Sequence, residues 1–192
     1  SLEEDKDQGH YRWCTVEPRR VCSGYVNPDE IGAALAQHRL VLELAPYELS
    51  ISPLDCEALD VLFGFDFTYR GNHNQVVAEA LGLIPAFEPL GELPGASVIN
   101  YEPSLTLTLS SECRLQCRVS LETRTNAYHI RTGEYPEEQL SVYVTTRKYG
   151  SLPNEEAFLS TFHELVRICQ QLIDTYVIDS VLQPLARVIA TQ

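Results

Sequence analysis

An α+β fold, in which an antiparallel β-meander sheet packs against a long C-terminal helix with one or two short helices on the N-terminal side, is what this 192-residue chain predicts. Three observations predict it. Apolar and polar residues alternate with a period of two through much of residues 97–148, as in strands with one buried face. After Gly150, Phe158, Phe162, Leu165, Cys169, Leu172 and Tyr176 recur at helical spacing in a 4-3-4-3-4 series, flanked by Leu159, Val166 and Ile173. The composition, 44% hydrophobic and 21% charged, is that of a globular chain large enough to fold on its own apolar surface.

Residues 1–26 read as an irregular acidic arm, opened by Glu3, Glu4, Asp5 and Asp7 and anchored by Tyr11, Trp13 and Val16; residues 27–192 read as a single α+β domain. Asn27-Pro28-Asp29-Glu30 carries a capping residue, a proline and first-turn acids, which predicts a helix to about Gln37. Leu40, Leu42 and Leu44 then alternate with Val41 and Glu43 as a strand, interrupted by Pro46 and resumed at Leu49 and Ile51. Val61, Phe63, Phe65, Phe67 and Tyr69 alternate with Asp60, Gly64, Asp66 and Thr68, predicting a strand over 60–69. A turn at Arg70-Gly71-Asn72-His73 leads to a helix from Asn74 through Leu81 that stops at Gly82. Residues 83–96, rich in Pro and Gly, form the longest loop; with Phe87, Glu88 and Glu92 it is a candidate gate over a cavity.

Within the meander, Leu105, Leu107 and Leu109 form one strand, and Cys113 to Leu121 the next. Tyr128 to Arg131 and Leu140 to Thr145 form two more. The apolar stripe of the terminal helix is broader than a coiled-coil seam and is expected to cover the sheet, with a helix-mediated homodimer as the alternative. Pro184 predicts a kink or a second short helix near the end.

Fourteen Lys+Arg against 27 Asp+Glu give a net charge of −13, a field that repels phosphate backbones and anionic lipid surfaces, so neither nucleic acid nor a membrane is an expected partner. The N-terminus has neither a basic nor an apolar signal region. The six cysteines form no CxxC pair and no Cys/His cluster of zinc spacing, so no metal and no cofactor is expected. Cys113 and Cys117, about 13 Å apart along one strand face, cannot bridge each other. With Cys169 on the helix stripe they read as buried thiols of a reducing, cytoplasmic compartment; Cys14 and Cys22 are the one local pair able to close a loop.

No GxSxG, P-loop, GxGxxG, HExxH or EF-hand motif is present. Asp66 and His73 are the candidates for acid/base work or metal binding, yet core aromatics, turn geometry and an ion pair account for the same segment. The polar face of the meander is the candidate binding surface. It gathers Arg114, Arg118, His129, Arg131, Tyr143 and Arg147, near Thr106, Thr108 and Lys148, in a stretch (112–148) whose charge is near +1. Clustered guanidinium groups would receive an anionic ligand or an acidic peptide, provided they are not already paired within the chain.

By element order alone, the chain resembles both the helix-grip sheet that holds small apolar ligands and the α/β sandwich of small acidic secretion chaperones. No motif assigns it to either. The expected function is a non-enzymatic binding or protein-interaction module that presents its sheet face or C-terminal helix. The alternative is a helix-grip small-molecule binder or enzyme, with a cavity lined by Phe63, Phe65, Phe67, Phe158 and Phe162.

Overall fold

The computed structural model describes residues 1–192 and is α+β, with two antiparallel sheets. Its residues fall into two compact units. The first comprises Ser1–Leu59 and Gly150–His163, the second Asp60–Tyr149 and Glu164–Gln192.

In the first unit, β1 (Leu2–Glu3), β2 (Tyr11–Glu17) and β3 (Arg20–Val26) form a three-stranded sheet in the order β1-β2-β3. Residues expected to be irregular are therefore strands. The hairpin closes through Pro18-Arg19, with Glu17 opposite Arg20 and paired to it at 3.0 Å; proline supplies the φ of a turn's first central residue. The Trp13 ring lies against Gly24, where an added Cβ would sit 2.2 Å from the indole. Only glycine permits that approach.

Helix α1 (Ile31–Glu48) follows, and its length corrects two expectations. Asn27 caps nothing; it holds a left-handed φ of 48° and donates to the Gly9 carbonyl. The Leu40–Leu44 alternation is helical, because extending a nucleated helix costs far less than starting a strand, and Pro46 falls only in its last turn. The Gln37 amide donates to the carbonyls of Trp13 and Gly24, and His38 Nδ1 lies 2.7 Å from Ser23 Oγ. Leu152, Ala157 and Phe158 pack with Leu42, Ile51 and Cys56 as this unit's small core. Cys14 forms no disulfide, so the Cys14–Cys22 loop stays open.

The second unit holds a four-stranded sheet of order β4-β7-β6-β5, from β4 (Ala58–Tyr69), β5 (Ser104–Thr108), β6 (Leu115–Glu122) and β7 (Glu138–Tyr149). The last three are the expected meander, and β4 adds to its far side. Leu121 faces Val142 and Val119 faces Val144, so the apolar residues share one face. Helix α2 (His73–Leu81) is capped by Asn72 and ends at Gly82, with φ 75°. Helix α3 (Glu88–Gly91) interrupts the long loop.

Helix α4 (Ala127–Thr132) replaces the strand expected at 128–131. The Asn126 side chain accepts the amides of Tyr128 and His129, while His129 Nδ1 accepts the Asn126 amide; Gly133 closes the end in a left-handed conformation. This reciprocal cap outweighs a four-residue alternation.

Helix α5 (Glu156–Leu172) runs on into a π-helical segment (Ile173–Leu182) and α6 (Gln183–Thr191) without a break. Pro184 falls in the first turn of α6, the short second helix expected there, and does not end the rod. A widened turn before it displaces the carbonyl that the proline ring would strike, and the Gln183 amide reaches back to the Ile178 carbonyl. The wider winding also redirects the stripe. Burial follows Cys169, Ile173 and Val177, leaving the expected Tyr176 exposed. From Glu164 onward the rod lies over the sheet's apolar face. The Thr146 hydroxyl donates to the Leu165 carbonyl, and Leu140, Val142, Val144, Leu165 and Leu185 have no exposed surface. Cys117 and Cys169 are buried as expected, but Cys113 is exposed in the β5–β6 turn, with φ 58°. No helix is long and apolar enough to cross a membrane.

Candidate functional site

The face of the four-stranded sheet turned away from the rod forms an ordered grid. Asp66 lies against Ser141, Gly64 beneath the Tyr143 ring, and Asp60 on Arg147, which places β4 antiparallel to β7. Continuing through the paired strands, one row reads Asp60, Arg147, Gln116, Thr108. The next reads Leu62, Thr145, Arg118, Thr106; the third Gly64, Tyr143, Ser120, Ser104. Asp66, Ser141 and Glu122 make a fourth.

In the first row the charges are paired, and in the fourth Asp66 holds a hydroxyl. Arg147 Nε donates to Asp60 at 2.6 Å and Arg147 also reaches Tyr149 Oη at 3.1 Å; the paired carboxylate holds the guanidinium firmly protonated. Ser141 donates to Asp66 at 2.6 Å. In the second row Leu62 is 57% exposed, and Arg118 has only the Ser104 hydroxyl, at 3.1 Å, as a side-chain partner. This row thus carries an exposed aliphatic group and, beyond Thr145, a cation with no carboxylate, with the Tyr143 ring in the adjoining row.

The structure brings Arg118, Tyr143 and Arg147 onto this face and disperses the other expected residues. Arg114 sits in the turn before β6, 3.4 Å from Glu112. His129 and Arg131 belong to α4, because that segment is a helix, so they do not extend the sheet face. Arg131 stacks over Tyr128 at 5.6 Å, and His129 lines an open concavity of about 550 Å³ with Arg70, Tyr128, Glu134 and Tyr135. Lys148 pairs with Glu164 at 2.9 Å on the helix side.

Asp66 and His73 have separate partners. His73 is fully buried; its Nδ1 accepts the Arg124 amide at 3.3 Å, so Nε2 carries the proton and donates to the Tyr69 carbonyl at 3.1 Å. Both nitrogens are committed, and burial lowers the pKa, keeping the ring neutral. Beside it the buried Asn74 accepts from the Tyr101 amide and Thr123 hydroxyl and donates to Thr125, a fully bonded network that ties two loops to α2. Burial pushes the Cys169 thiol up to about 11 and also raises that of Cys117, so neither is a ready nucleophile.

Leu62 and Gly64 were not singled out from the sequence as parts of this surface. Their alternation with Val61, Phe63 and Phe65 was the available signal, since it places them opposite the buried side. Comparison of the chain with protein-family models, with curated proteins and with solved structures finds no match.

Proposed function

We propose that the protein is a non-enzymatic interaction module that engages a protein partner through the open face of its four-stranded sheet. The observation that carries this reading is the second row of the grid, where Leu62 and Arg118 stand exposed and no carboxylate pairs with the guanidinium. An exposed aliphatic group and an unspent guanidinium on either side of Thr145, with an aromatic ring in the adjoining row, give the composition of an interface centre, where Arg and Tyr contribute most to affinity. A partner segment with an apolar side chain and a carboxylate would use both groups. The packed interior between sheet and rod supports this surface over a buried small-molecule site, and the buried thiols favour a reducing compartment such as the cytoplasm.

A photo-crosslinking residue at Thr145, in the second row, tests the reading in native extract. It is expected to capture a discrete protein, and Leu62→Lys combined with Arg118→Glu to reduce that capture at least tenfold, in line with the loss of about 1.4 kcal/mol or more. Capture that the double variant leaves unchanged, or that is equal from a crosslinker at the exposed Gln171, would sink the assignment.

A further inference from the structure

The same sheet ends on an edge that no strand covers. Strand β5 is outermost, and all five of its residues are exposed. The Leu121 amide donates to the Pro103 carbonyl at 3.2 Å and the Leu109 amide to the Leu115 carbonyl at 2.7 Å. Odd-numbered residues therefore bond to β6. By the alternation of an antiparallel ladder, the amides and carbonyls of Ser104, Thr106 and Thr108 point outward, where nothing pairs with them.

Sheet proteins usually blunt such an edge with a charge, a proline or a bulge. Here residues 103–111 contain no charged residue in a chain of net charge −13. Pro103 belongs to the inward-facing set and leaves the outer row of donors intact. On the rod side of the strand, Leu105 and Leu107 are 60% and 50% exposed.

We infer that β5 pairs with β5 of a second copy of this chain, antiparallel about a two-fold axis through Thr106. In that register Thr106 meets Thr106 and Ser104 meets Thr108, so every outward amide of the three faces an outward carbonyl. Leu105 then stands opposite Leu107 at the non-hydrogen-bonded positions, where cross-strand side chains approach most closely. The match is self-complementary in both backbone and side chains, as an isologous contact requires. No acid opposes an acid within the five paired residues: Glu102 lies outside them, its carboxylate already accepting the Thr123 amide and hydroxyl. A second copy fits this edge better than an arbitrary strand, which would have to reproduce both the length and the leucine placement. The contact is smaller than the roughly 1,200 Å² of a stable interface, so the dimer is weak and forms as concentration rises. It uses the strand edge and is independent of the sheet face proposed for a partner.

Sedimentation equilibrium of the full chain from about 10 μM to about 1 mM, with residue-resolved amide exchange at both ends of the range, tests the pairing. The mass is expected to rise toward twice that of the monomer. The amides of Ser104, Thr106 and Thr108 should slow by about tenfold on concentration, while those of Leu105 and Leu107, bonded within the chain, change little. Thr106→Pro, which removes the central donor, and Leu107→Lys, which sets a charge against Leu105, should each keep the chain monomeric. A mass that never rises, a dimer that persists in both variants, or exchange of the three outward amides that ignores concentration would each overturn the inference.

Discussion

The two units differ most in how completely they bury their interiors. In the second, Val76, Val77, Leu140, Val142 and Leu185 form a cluster with no exposed surface, enclosed between sheet and helices. In the first, the equivalent cluster is Leu152, Ala157 and Phe158, each retaining some exposure, and α1 is apolar on most sides yet buries only Ala34 and Ala45. Leu40 and Leu44 on that helix are about half exposed. A helix apolar all round is ordinarily enclosed, so the first unit realises less of the stabilisation its sequence could supply. The physical lesson is that apolar content and apolar burial are separate quantities. Adding a sheet face under a rod converts one into the other far better than a hairpin beside a helix.

A matched pair of truncations puts this difference to the sharpest test. Leu140→Ala in the closed cluster should cost about 4 kcal/mol, and Leu152→Ala in the open one about 2.5 kcal/mol, because a site near solvent collapses or hydrates more easily. Chemical denaturation of both variants measures the gap, and equal costs would remove the contrast. Next in size is Gly24→Ala, where the new methyl must displace Trp13. A loss of about 2 kcal/mol is expected. Trp13 is the chain's one tryptophan, so its fluorescence reports the first unit directly; an unshifted emission spectrum would contradict the packing described.

The smallest effect is in pH. His38 in the first unit and His73 in the second both have pKa values lowered by burial. Below the ordinary value of 6.5 the unfolded chain takes up protons that the folded rings refuse, so stability is complete above that pH and is lost as pH falls through it. His73→Gln should flatten part of this acid-side loss and leave the part due to His38. A thermal-melting series across pH 5–8 that is unchanged by the substitution would show that His73 is not coupled to folding.

Legibility followed burial. Strands β6 and β7 were readable because one face is closed off, which imposes a strict period of two on Cys117, Val119, Leu121, Val142 and Val144. The strands of the first unit were not, since Trp13, Cys14 and Thr15 are all half-buried and their faces carry no such contrast. Leu40 to Leu44 satisfied both periods, and the helix already started at Ile31 decided between them. At Tyr128–Arg131 the deciding signal is local and outside the alternation: Asn126 and His129 cap each other, and Gly133 ends the turn. Of the candidate surface, Arg118, Tyr143 and Arg147 were found because they alternate with buried residues. Their partners were not, since the pairing of Asp60 with Arg147 joins residues 87 positions apart.

The first unit is assembled from two stretches of chain, and this sets an order on its biosynthesis. A ribosome that has released residues 1–59 has delivered the hairpin and α1 but none of Leu152, Ala157 or Phe158. Residues 1–59 must therefore wait, with Leu42 and Ile51 unsheltered, until translation passes residue 163. By then every strand of the four-stranded sheet has been made, yet that sheet stays uncovered until Leu165 and Leu185 follow, so the unit begun first is also the first able to close.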